Sequence, residues 1–241
     1  MTLPPPSEHF GGKTVVEHLK EARTRGAFAA AEVHGIEMPG HIAAGADSAR
    51  DMAIILLVLW VINPQSWSLY LLVAAGWIVW KTARSAVMGW SRVERLHRLI
   101  EEERHEIEHH REQERYELTE MYRAKGLTGK LLDDVIDVLM ADDNRLLRVM
   151  LEEELGLTLE SYEHPLKQAS GAFIGSALAA CLLLFGLWAI PSFGLPLLAA
   201  LVVILSASIY AKMERNKVWN AIVWNLSIAA LSAGCVYFVT L

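Results

Sequence analysis

Cysteine is scarce in this chain: Cys181 and Cys235 are the only two, each inside an apolar run. Their positions carry no metal-type spacing and exclude a disulfide framework. Charge is missing altogether from 168–211 and from 218–241, which excludes an ordinary soluble domain there. Apolar runs of about 20 residues are what cross the roughly 30 Å hydrocarbon core of a bilayer. Residues 1–12 are Pro-rich and lack an apolar h-region, so no cleavable signal peptide is expected and insertion falls to the first membrane helix. A basic excess is lacking too. The net charge of −6 comes chiefly from one segment and argues against a nucleic-acid partner.

What the chain does have is a hydrophobic fraction of 53% and, at 92–167, a block with 20 acids against 12 bases. Three spans are expected over 169–190, 195–211 and 218–239, separated by Pro191-Ser-Phe-Gly194 and by Lys212-Met-Glu-Arg-Asn-Lys217. Before the block, 52–62 and 67–80 are apolar around the turn signal Asn63-Pro64-Gln65-Ser66. Two helices fit if the first starts near Ile42 and carries Asp47, Arg50 and Asp51 at its edge. Basic residues decide the count. Lys13, Lys20, Arg23 and Arg25 precede the first span, Lys81, Arg84, Arg92 and Arg95 follow the second, and Lys212, Arg215 and Lys217 follow the fourth. Five spans place every cluster on one side, as the positive-inside bias requires.

The fold expected is therefore an all-α integral membrane protein in a lipid bilayer. Its five transmembrane helices carry a three-helix cytosolic insert between helices 2 and 3. Residues 1–41 form an N-terminal cytosolic segment, 42–91 helices 1 and 2, 92–167 an acidic metal-binding domain, and 168–241 helices 3 to 5. The N-terminus and the block are expected in the cytoplasm and the C-terminus outside or in a lumen. Within the block, 93–125 lacks Gly and Pro and reads as a long continuation of the second span, ending at Gly126. Thr128 can cap a helix to about Met140 whose apolar face is Leu131, Leu132, Val135, Ile136 and Leu139. Asp142 or Asp143 can cap a third helix that Gly156 ends. Residues 13–33 suit an amphipathic helix with no assigned role.

Glu102, Glu106, His109, Gln113, Glu117 and Glu120 step by three or four residues and share one stripe of that long helix. Stacked carboxylates repel, so the stripe needs a cation, open solvent or interleaved arginines such as Arg104, Arg111 and Arg115. Met150 and Glu154, four apart with Glu153 beside them, are either core and solvated end or a thioether and carboxylates offered to a metal. Carboxylate, imidazole and thioether together suit a borderline ion such as Fe²⁺, Mn²⁺ or Zn²⁺ better than Ca²⁺. Glu102-x-x-His105 and Glu106-x-x-His109 also match the unit of di-iron carboxylate bundles, which needs such units on facing helices. Gly171, Gly175 and Ala179 make a small-residue stripe suited to helix packing.

Glu117-Leu-Thr-Glu120-Met-Tyr-Arg-Ala-Lys-Gly126-Leu, Ala141-Asp-Asp, Met150-Leu-Glu-Glu-Glu154-Leu-Gly156-Leu and Pro165-Leu-Lys, in that order, resemble the vacuolar iron transporter family. The resemblance covers 84–175 well and the rest by hydropathy. It implies five membrane helices, a cytosolic three-helix metal-binding domain, a homodimer, and exchange of Fe²⁺ against protons, with no enzymatic activity. Carried over, Glu117 and Glu120 match the family's second glutamate pair, Glu106 and His109 its first, and Met150 with Glu153 or Glu154 its Met-and-Glu element. Leu151 replaces a second methionine. The family's Asp-Gly pair on the first helix has Asp47 and Asp51 as its nearest counterparts. In the second helix Ala86 and Trp90 stand where the family has methionine and glutamate, with Met88 close by. A transporter follows, with Asp47, Asp51 and Met88 as the path. The alternatives are a membrane-anchored metal buffer or sensor and, third, a di-iron oxidase.

Overall fold

The computed structural model describes residues 13–30, 38–157 and 163–240, which form nine α-helices and no strand. The Pro-rich start, the expected end of the first helix near residue 33, and Tyr162 lie outside the described residues. The helices are α1 (Val15–Ala30), α2 (Gly40–Ile62), α3 (Trp67–His109), α4 (Arg111–Ala124), α5 (Gly129–Met140), α6 (Asp143–Glu153), α7 (Pro165–Ala189), α8 (Gly194–Met213) and α9 (Val218–Thr240). They divide into two compact units. One holds 1–31 with 91–162, the other 32–90 with 163–241, so α3 contributes to both.

The second unit is apolar. Helices α3, α7, α8 and α9 are long and apolar enough to cross a membrane, so the protein is associated with a lipid bilayer. α2 matches α9 in length at 23 residues, but Asp47, Arg50 and Asp51 sit inside it. Large side chains point outward from the apolar helices, among them Leu72, Val79, Phe185, Trp188, Trp224 and Phe238, as a lipid-facing surface requires. The small-residue stripe has a partner within the chain. A Cβ on Gly175 would lie 2.0 Å from the Gly45 carbonyl oxygen, and one on Gly171 would lie 1.9 Å from that of His41. The backbones of α2 and α7 therefore meet with no room for a side chain, the close approach that small residues permit. Ala179 continues the seam, buried with Met52, Leu56 and Leu183.

The acidic unit has its own core of Leu96, Leu99, Ile107, Leu118, Met121, Leu132, Ile136, Leu146, Met150 and Leu151. α5 starts and stops where the turn residues indicate, but its buried face is narrower than the pattern suggests. Leu132, Ile136 and Met140 point inward at four-residue steps, whereas Leu131 is 63% exposed. Asp142 caps α6 by accepting the Arg145 backbone N–H at 2.8 Å. α4 closes at Gly126, whose N–H bonds back to Arg123 O at 2.9 Å while Leu127 N–H reaches Tyr122 O at 3.2 Å.

One expectation is corrected here. The helix expected to run unbroken over 93–125 stops at His110, which has φ −125° and ψ 32°. No Gly or Pro is needed for this. Arg111, the first residue of α4, donates to Met140 O and to the Asp143 carboxylate, both at 2.6 Å. Those bonds tie the start of α4 to the α5–α6 junction and redirect the chain. α1, to which the sequence assigns no role, belongs to the acidic unit, with Ala22 fully buried in its core.

Candidate metal centre

The apolar residues of α3 and α4 determine which acids go inward. Leu99 and Ile107 are buried, and Glu103 lies one helical turn from each. Leu118 and Met121 are buried on α4, and Glu114 precedes Leu118 by one turn. Glu103 is consequently 4% exposed and Glu114 and Glu117 are 0% exposed. Glu154 follows Met150 by one turn on α6 and is also buried, and His18 precedes Ala22 by one turn on α1.

These side chains converge into two triads. Donor atoms of His18, Glu117 and Glu154 all lie within 4.8 Å of one another, as do those of Glu103, Glu114 and Glu154. Glu154 is common to both. His18 Nε2 is 3.8 Å from Glu117 Oε1 and 3.6 Å from Glu154 Oε1. Glu103 Oε1 is buried and has no hydrogen-bond partner among the described residues.

So many carboxyls cannot all be ionised in one dry site. Burial, then repulsion from Glu106 and Glu117, pushes the Glu103 carboxyl up to about 8. Burial first, and then Glu103 and Glu117, drives Glu114 far above the ordinary carboxylate range. Glu154 is raised by the same causes in the same order, with Arg25 opposing weakly. An uncompensated buried charge costs several kcal/mol. The cluster is satisfied either by protons on its carboxyls or by a cation that displaces them. Oxygen donors with one imidazole accept first-row divalent ions.

The residues singled out from spacing are distributed as follows. Glu117 and Glu154 are in the triads. Glu106 is half-buried and close enough to raise Glu103, Glu114 and Glu154 electrostatically. Met150 is fully buried one turn before Glu154. His109 is exposed, with Nδ1 2.9 Å from His105 O. Glu120 pairs with Arg123 and lines an open groove of about 1020 Å³ between α1 and α4 that does not include the triads. Glu153 pairs with Lys125. Both Glu-x-x-His units lie on α3 alone. Glu103, Glu114 and His18 were not anticipated. The two acids are legible once the apolar phase is followed, because each occupies a position where that phase calls for a hydrophobe. His18 carries no such signal.

In the apolar unit Asp47, Asp51 and Met88 line one small cavity of about 210 Å³, with Ser48, Lys81, Arg84 and Ser85. Lys81 was not anticipated. It is buried, and its Nζ donates to Asp51 Oδ2 at 2.6 Å and lies 3.5 Å from Asp47 Oδ2. Arg50 stands 3.7 Å from Asp47 and donates to Asn225 Oδ1 at 2.8 Å.

No curated protein matches this chain. The VIT family profile matches residues 87–241, which take in the acidic helices α4 to α6 and the apolar helices α7 to α9 but neither α1 nor α2. Buried carboxylates that converge within the acidic unit, and four helices fit for a bilayer, agree with that match, and the chain belongs to the VIT family, the vacuolar iron transporters.

Proposed function

We propose that this protein moves Fe²⁺, or a similar ion such as Mn²⁺ or Zn²⁺, out of the cytosol in exchange for protons. The buried convergence of Glu103, Glu114, Glu117 and Glu154 carries this reading. The carboxyls of Glu103, Glu114 and Glu154, held protonated by burial, release those protons when a divalent cation arrives, which is the loading half of an exchange. Five spans result when α2 is counted with the four apolar helices. The cost of about 2.5–3.5 kcal/mol for a charge at the bilayer centre is reduced because Asp47 and Asp51 pair with Lys81. The basic clusters then put the N-terminus and the acidic unit in the cytoplasm and the C-terminus outside. A homodimer accords with the family. Membership of the VIT family supports a carrier over an enzyme.

One observation favours a second reading, a membrane-anchored metal binder that does not transport. The Lys81 ammonium lies between Asp47 and Asp51, where a transported cation would need their oxygens. Flux into proteoliposomes loaded with a metal-quenched dye separates the two. Fe²⁺ and Mn²⁺ are compared under a pH gradient, with Glu117→Ala and Asp51→Ala as controls. Gradient-dependent flux that falls in both variants supports exchange. Metal binding without flux, lost only in Glu117→Ala, establishes the binder.

A further inference from the structure

We infer that His18, carried on α1, is a nitrogen ligand to the divalent cation held by Glu117 and Glu154, so that the N-terminal helix is part of the metal site. This rests on the reading of the acidic unit as a metal binder. His18, Glu117 and Glu154 come from three different helices and place one imidazole nitrogen and two carboxylate oxygens within 4.8 Å of one another. At 3.6 and 3.8 Å the nitrogen is too far from either oxygen for a hydrogen bond between them. Those separations are close to the edges of a coordination shell, the 3.8 Å one slightly longer. Metal–nitrogen and metal–oxygen bonds of about 2.1 Å put neighbouring donors about 3.4–3.6 Å apart at tetrahedral to trigonal angles.

α1 is built to hold that ring in place. His18, Ala22 and Gly26 follow one another at four-residue steps and share a face. Ala22 is fully buried, and a Cβ on Gly26 would lie 2.0 Å from Leu155 O. Leu155 directly follows Glu154, so the α1 backbone comes close to the chain next to the carboxylate that His18 faces. Arg23 Nη2 adds a bond to Glu153 O at 3.3 Å. An independent sign that the pocket suits a cation comes from the adjoining triad, where buried Glu103 Oε1 has no hydrogen-bond partner among the described residues. His18 lies outside residues 87–241, the part that matches the family. It is therefore a donor supplied by this chain's own N-terminal helix. An imidazole among carboxylates moves preference away from Ca²⁺ and Mg²⁺ and toward borderline first-row ions.

The test uses the full-length protein in detergent and Mn²⁺ as the probe, with affinity from calorimetry and ligand identity from pulsed EPR. The bound ion is expected to show ¹⁴N modulation from one imidazole. His18→Ala and the size-preserving His18→Gln are expected to lose that modulation and to weaken binding by at least the about 10–100-fold that loss of an outer-shell partner costs. His97→Ala, at an exposed histidine of α3, is expected to retain both. Bound Mn²⁺ without ¹⁴N modulation, or modulation that survives in the His18 variants, overturns the role of His18 and leaves the acidic unit a metal binder. Absence of Mn²⁺ binding in the unaltered protein overturns both.

Discussion

Replacing Glu103 with glutamine removes one buried carboxyl while keeping its shape. The Glu103 carboxyl titrates near 8 in the folded protein against 4.5 for a free side chain. A group raised in this way contributes stability that is fully present below 4.5 and is lost as the pH rises through about 8. At pH 7 the unfolded chain has released the proton and the folded one has kept it. At about 1.4 kcal/mol per pH unit, the loss from pH 4.5 to pH 7 comes to about 3 kcal/mol. Without metal, Glu103→Gln is therefore expected to be more stable than the unaltered protein at pH 7 by up to about 3 kcal/mol. The two should converge at pH 4. Metal reverses the order of benefit, because a cation at about 100 times its Kd adds about 2.7 kcal/mol to a protein that binds it only when folded. The variant, short of one donor, gains less. Thermal unfolding in detergent at pH 4, 7 and 8, with and without Mn²⁺, measures all of this. A variant that is less stable at pH 7 without metal, or that metal stabilises equally, refutes the reasoning.

Metal binding by the raised carboxyls of Glu103, Glu114 and Glu154 is expected to release at least one proton per ion at pH 7. Calorimetry in buffers of different ionisation enthalpy measures the number, and binding should weaken toward pH 5. Gly175→Ala places a methyl 2.0 Å from Gly45 O, and overpacking of this kind costs about 1–3 kcal/mol; a lower melting temperature in detergent is the readout. Lys81→Gln frees the oxygens of Asp47 and Asp51, and is expected to raise Mn²⁺ flux into proteoliposomes. Unchanged or reduced flux rejects the idea that the ammonium holds a cation's place.

The family, the helical class and the bounds of α5 and α6 were legible because each rests on local signals: ordered motifs, apolar runs and turn residues. The position of the site within the acidic block was harder to read. Spacing counted from acid to acid selects Glu102, Glu106, His109, Gln113, Glu117 and Glu120. Counted from apolar to apolar, through Leu99, Ile107 and Leu118, it selects Glu103 and Glu114. Burial follows the apolar count, because hydrophobic side chains orient the helix and the acids go where that orientation carries them. The break at His110 is invisible locally, since it is imposed by Arg111 reaching Met140 and Asp143. His18 and Glu154 are far apart in the chain, and a single sequence holds no record of such a pairing.

The glycine seam between α2 and α7 has a mechanical consequence. With Gly175 and Gly171 against the carbonyls of Gly45 and His41, sliding either helix by a turn would drive side chains into backbone. The two helices move as one rod, and Asp47 and Asp51 ride on it. α3 meets α2 through side chains such as the Lys81–Asp51 bond, contacts that can break and reform without crossing a steric barrier of that kind. Asp47 and Asp51 thus sit on the fixed pair and Lys81 on α3, so the bond that lines the small cavity can be made or broken without disturbing the seam.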